Sequence, residues 1–158
     1  MDKVIWKNRE INRYPDIILS DCKVIDIQVK KNKITVNFSE DGVFVKDSER
    51  KSYYRTDTAQ LMIESCDVAN ISIKEVRTQR LSEELYYDSM YDVESQDFIE
   101  NINTGKWRLE ITEEFYSAGG GVYSVRIRCN ESSFWCYIKL QFKNLIYMWN
   151  DIRYDYPL

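Results

Sequence analysis

The chain has 158 residues, 44% hydrophobic and 14% aromatic, with two prolines, five glycines and a formal charge of −4. That is enough apolar material for one sizeable core, too short a chain to need two, and too apolar a composition for disorder. There is no histidine, which excludes Ser-His-Asp and Cys-His nucleophiles, His-containing zinc sites and imidazole acid–base chemistry.

In chain order, residues 1–10 scatter charges through any apolar stretch, so they are not read as a secretory leader. No run approaches the roughly 18 to 20 apolar residues of a membrane helix. A single domain over 1–158 and a cytoplasmic location are the expectation. Four cysteines, Cys22, Cys66, Cys129 and Cys136, form no Cys-x-x-Cys pair and fit buried, reduced thiols.

Residues 23–30 and 33–38 alternate in polarity, which puts Ile25, Ile27 and Val29, then Ile34, Val36 and Phe38, on one face of a hairpin turning at Lys31-Asn32. Further strands are predicted at 43–45, 59–63 and 71–76, although 59–64 also fits a turn of helix. Ser82 ahead of Glu83-Glu84 has the form of a cap for a short helix. Ser95 has the same form for a longer one, in which Phe98, Ile99 and Ile102 recur at helical spacing up to Thr104-Gly105.

The last third alternates most clearly. Trp107, Leu109 and Ile111 predict one strand, Tyr123, Val125, Ile127 and Cys129 a second, and Phe134, Cys136, Ile138, Leu140 and Phe142 a third. Turns at 117–121 and 130–133 join them into an antiparallel meander, and 145–149 follows as a final strand or tail. The fold class expected is α+β, mainly β: antiparallel sheets in a sandwich-like or half-barrel arrangement, with a C-terminal three-strand meander and one helix near 95–104.

Two surfaces invite a function. Between 81 and 105 lie seven acids (Glu83, Glu84, Asp88, Asp92, Glu94, Asp97, Glu100) and no Lys or Arg. Removing those seven from the 26 acids of the chain leaves 19 against 22 bases, so the charge is polarised. Tyr86, Tyr87 and Tyr91 are interleaved with the acids. Acids steer a basic partner and tyrosines supply rigid contact area, so Glu83, Glu84, Tyr86, Tyr87, Asp88, Tyr91 and Asp92 are the candidate protein-binding residues. The alternative is a solvated face whose tyrosines pack inward.

The second surface is the outer face of the meander, where Arg126, Arg128, Trp135, Tyr137 and Lys139 have the composition of a single-strand or ligand platform. The competing expectation is that a helix or second sheet covers Trp135 and Tyr137, and the isoelectric point near 5.0 argues against nucleic acid. Gly119-Gly120-Gly121 reads as a hairpin loop, since no Lys-Ser/Thr follows it. Glu113 and Glu114 point to opposite faces of a strand, poor geometry for an acid–base pair.

The chain resembles small, acidic, Tyr- and Trp-rich bacterial proteins, including immunity proteins that neutralise toxins. The resemblance lies in its size, its charge and its acidic Tyr86-Tyr87 neighbourhood. It implies tight inhibition of a toxin by an acidic surface, while the strand-rich pattern departs from the all-helical immunity proteins of nuclease colicins. The function expected is a non-enzymatic protein-binding module, an immunity or inhibitor protein that docks a basic partner. Its alternatives are a nucleic-acid or ligand binder on the basic-aromatic face and a His-free enzyme. No cofactor, metal or membrane is called for.

Overall fold

The computed structural model describes residues 5–158; residues 1–4, the start of the stretch read for a leader, lie outside them. The described residues fold into two antiparallel sheets, one α-helix and a single 3-10 turn at Val68–Asn70. Their strands are β1 (Asn8–Ile11), β2 (Ile17–Ile18), β3 (Cys22–Lys30), β4 (Lys33–Phe38), β5 (Phe44–Asp47), β6 (Ser52–Thr56), β7 (Ala59–Glu64), β8 (Ser72–Arg80) and β9 (Tyr86–Asp92). Helix α1 (Ser95–Asn103) follows, then β10 (Arg108–Ser117), β11 (Gly120–Cys129), β12 (Ser132–Gln141), β13 (Asn144–Trp149) and β14 (Ile152–Pro157). The fold is mainly β, as its alternating pattern predicts, and the stretch 59–64 is strand rather than helix.

The larger sheet has ten strands in the order β1-β13-β7-β4-β3-β10-β11-β12-β8-β9, and the smaller has four in the order β14-β6-β5-β2. Both contribute to one hydrophobic core that runs from Ile17 and Phe44 on the small sheet to Val36, Leu61, Ile111, Val125 and Cys136 on the large one.

The large sheet is strongly curled. Tyr147 on β13 stands five strands from Tyr123 on β11, a separation of roughly 24 Å in a flat sheet, yet both rings lie in one hydrophobic core and Tyr123 bears on the ionisation of Tyr147. Two bulges help to produce the bend. The register of β3 against β4 slips between Val24 and Asp26, and that of β10 against β11 slips between Ile111 and Glu113. An extra residue bends a strand, increases its twist and reverses which side chains face inward.

That reversal corrects the alternation read from the sequence. Cys22, Val24 and Ile27 face the core, whereas Ile25 is 56% exposed and Val29 is exposed as well. On β10, Leu109 and Ile111 face inward before the bulge, and Glu114 and Tyr116 take the inward positions after it.

The curl opens a gap where β10 leaves β3, since the two pair only from Cys22 to Val24. Helix α1 lies against β3 there, inserting Phe98 and Ile102 into the core. Its N-cap is Glu94, with no side-chain cap hydrogen bond, rather than Ser95, and its chain leaves through Gly105 at a φ of +78°.

The segment 145–149 is no tail. As β13 it runs between β1 and β7 with its residues from Leu145 to Trp149 buried on both faces. The turn between β10 and β11 is tighter than the predicted loop, Ala118-Gly119 alone, because Gly120 and Gly121 already belong to β11. A Cβ on Gly120 would stand 2.4 Å from the Leu140 carbonyl oxygen, so this glycine is required by the close approach of β12.

Candidate functional site

Strand β8 pairs with β12 only over Ser72 to Val76, but from Lys74 to Arg80 it pairs with the whole length of β9. Beyond Val76 the β8–β9 hairpin is therefore a two-stranded ribbon projecting from the sheet by about 13 Å plus its turn. It corrects the short helix read at Ser82: Ser82 Oγ accepts from Leu85 N at 3.1 Å and closes the turn between the strands.

Within this arm the side chains hold one another. Thr78 Oγ1 donates to Asp88 at 2.6 Å, Lys74 pairs with Asp92, and the Arg77 guanidinium lies 4.2 Å from the Tyr91 ring centroid. Lys74, Arg77 and Arg80 on β8 offset much of the acidity of β9, leaving three bases against five acids over residues 72–92. Of the candidate acids, Asp88 and Asp92 are thus engaged inside the arm, while Glu83 and Glu84 sit at its exposed tip.

Leu81, Leu85 and Met90 are the apolar side chains missed by reading the acids and tyrosines alone. Leu81, Leu85, Tyr86, Tyr87 and Met90 are each between 56% and 61% exposed, and Tyr91 is exposed too. All three tyrosines are therefore exposed rather than buried. A two-stranded hairpin is marginal in water by itself, and the large apolar side chains gathered on this protruding element make it a candidate interaction surface. The signal lay in Leu81, Leu85 and Met90, apolar residues spaced among acids where neither a strand nor a helix pattern buries them.

Register unites the two surfaces read separately from the sequence. Cross-strand partners share a face, so Glu110, Arg126, Trp135, Val76 and Met90 form one row across β10, β11, β12, β8 and β9 on the outside of the sheet. Tyr137, Lys74 and Asp92 form the next row, while Tyr86 and Asp88 continue the same face along the arm. Tyr87 and Tyr91 lie on the opposite, inner face.

Trp135 is 45% exposed and Tyr137 40%, so no helix or second sheet among the described residues covers them. Arg126 is held by Glu110 at 3.3 Å, with its guanidinium 5.9 Å from the Trp135 ring centroid. Arg128 and Lys139 are exposed at either end of this face.

At the root of the arm, Glu75, Asp92, Glu94, Asp97 and Glu100 surround a shallow groove that also touches Trp107. Four of these acids come from the segment singled out in the sequence. Glu75 and Trp107 join them only through the fold.

The interior offers different chemistry. Between α1 and the concave sheet lies a cavity of about 80 Å³ lined by aliphatic and aromatic side chains, with Ser95 and Tyr123 its most polar members. Among the described residues no carboxylate or lysine lines it, so those residues offer it no acid–base pair.

Behind it, the β10 bulge carries Glu114 inward. Its carboxylate accepts from Leu19 N at 2.6 Å and from the Tyr116 hydroxyl at 2.7 Å, and burial raises its pKa above the ordinary value against the pull of these donors. Desolvation also raises the pKa of the surrounding Tyr116, Tyr123 and Tyr147 phenols. Among the described residues the Tyr123 and Tyr147 hydroxyls have no hydrogen-bond partner. Glu113 lies outside on the other face of β10, so the adjacent carboxylates make no pair.

All four cysteines are free thiols. Among the described residues no helix is long and apolar enough to cross a membrane. Set against known proteins, the chain matches no family model, no curated protein and no solved structure.

Proposed function

We propose that the chain is a non-enzymatic protein-binding module that captures a basic partner with the β8–β9 arm and the sheet face continuous with it. The observation that carries this reading is the arm itself: a ribbon projecting past its last supporting strand, with Leu81, Leu85, Tyr86, Tyr87 and Met90 all more than half exposed. Such side chains add nothing to the core, and aromatic anchors rimmed by charge are what a docking surface requires.

Glu83 and Glu84 at the tip and the acidic groove at the root give the arm the charge that steers a cationic surface. Inhibition of a toxin-like protein, as in the immunity proteins the sequence resembles, is the biological form we assign to this binding. The free thiols support a cytoplasmic setting.

The test is co-purification with the tagged chain, identification of the partner by mass spectrometry, and measurement of its affinity for variants. Tyr86→Ser with Met90→Ser should weaken binding by roughly 30-fold, the scale of a lost hot spot. Glu83→Lys with Glu84→Lys should slow association and flatten its dependence on salt. Unchanged affinity in both pairs of variants rejects the arm as the docking element.

The exposure of Trp135 and Tyr137 favours a second reading, stacking of a single-stranded nucleic acid or flat ligand on the outer face. Oligonucleotide binding at low salt that is lost in Trp135→Ala is its signature. Absence of binding at low salt removes it.

A further inference from the structure

Sheet edges are sites of unwanted pairing, and proteins blunt them by shortness, bulges, proline or lysine. Among the described residues, three of the four edges here are blunted. Strand β1 has four residues, β2 has two, and β14 pairs irregularly with β6 between Arg153 and Pro157. Strand β9 is the exception: seven residues in unbroken register with β8, without proline, glycine or lysine.

The bonds at the two ends of the hairpin settle which backbone groups are free. Leu81 N donates to Leu85 O at 2.8 Å, and Val93 N donates to Ile73 O at 2.9 Å. An antiparallel ladder exchanges its hydrogen bonds at alternate pairs. Tyr87, Ser89 and Tyr91 therefore direct their N–H and C=O groups at β8, while Tyr86, Asp88, Met90 and Asp92 direct theirs to the open edge. Along that edge the charge is negative at both ends, with Glu84 at the tip and Glu94 at the root.

Building on the protein-binding reading above, we propose that the partner presents an extended basic segment that adds to β9 as a further strand. Its backbone pairs with Tyr86, Asp88, Met90 and Asp92, and its Lys or Arg side chains meet the acids at the ends of the arm. Main-chain bonds supply affinity in strand addition and alternate side chains supply selectivity.

The test uses the full chain with a short peptide alternating Lys and Val, the same peptide N-methylated at every second residue, and the variant Met90→Pro. Proline at this position removes an N–H that faces the open edge and leaves the β8 ladder intact, which the amide protection of Ser89 and Tyr91 verifies. Strand addition predicts slowed amide exchange at Tyr86, Asp88, Met90 and Asp92 with the plain peptide. It also predicts about tenfold or greater loss of affinity on N-methylation and in Met90→Pro.

Equal binding of the methylated peptide overturns strand addition and leaves side-chain docking in place. No binding of either peptide at low salt also overturns it, while the affinities of the Tyr86, Met90 and Glu83–Glu84 variants for the natural partner decide the protein-binding reading separately. Self-association that Met90→Pro abolishes assigns the edge to a second copy of the chain and overturns the proposal.

Discussion

The side-chain amide of Asn103 takes the place of a missing strand beside Ile27: its Oδ1 accepts from Ile27 N at 2.7 Å and its Nδ2 donates to Ile27 O at 2.8 Å. Strand β10 has left β3 by this point, so these backbone groups have no ladder partner on that side. One residue at the last turn of α1 thus locks the helix over the gap. Asn103→Ala leaves both groups of Ile27 unpaired and should lower unfolding stability by about 2 to 3 kcal/mol. A urea midpoint indistinguishable from that of the unmodified chain rejects the strand-substitute role.

Glu114 makes stability depend on pH. Its folded pKa lies above the ordinary 4.5 because burial disfavours the charge. Its contribution is therefore fully present below the unfolded value and is lost as pH rises through the folded value. Glu114→Gln keeps an acceptor for Leu19 N and a donor for the Tyr116 oxygen, and it stays uncharged. The variant should gain stability over the parent as pH rises from 4 to 7, with little difference at the acid end. A difference that does not change between those pH values contradicts the assignment.

The thiols should react unequally. Burial pushes Cys22 and Cys136 up to about 12 and Cys66 to about 11, which leaves almost no thiolate at neutral pH. Cys129, at the end of β11, is only partly buried. Maleimide should label Cys129 first in the native protein and all four after denaturation. Early labelling of Cys22 disproves this order.

Binding and stability should separate on the arm. Tyr86→Ser and Met90→Ser alter side chains that touch solvent more than protein, so each should change unfolding stability by less than about 0.5 kcal/mol. A loss above about 1 kcal/mol in thermal or urea unfolding shows that these residues pack structurally and removes them from the binding surface.

The elements legible in the sequence were those whose pattern is local. The β3–β4 hairpin, the meander and α1 all show their own period in side-chain polarity. The inward turn of Glu114 and the outward turn of Ile25 were not legible, because a bulge is one residue of mismatch between two strands and neither strand's pattern records it alone. Residues 81–105 stand out in the sequence by their charge. The conversion of 81–92 into part of a projecting arm, separate from the helix over 95–103, depended on where β12 stops pairing with β8, a relation between residues some 60 positions apart. Trp135 and Tyr137 could be placed on the outer face from alternation, but only the assembled sheet shows that both remain exposed there.

The arm's independence has a consequence for how such a molecule can diversify. Among the described residues, no backbone hydrogen bond of the ribbon from Arg77 to Ser89 reaches the body, and none of its large side chains enters the core. Substitutions there are invisible to folding as long as the two strands still close. Under the docking role proposed for the arm, its partner could be exchanged by rewriting a dozen or so residues on a scaffold that does not register the change.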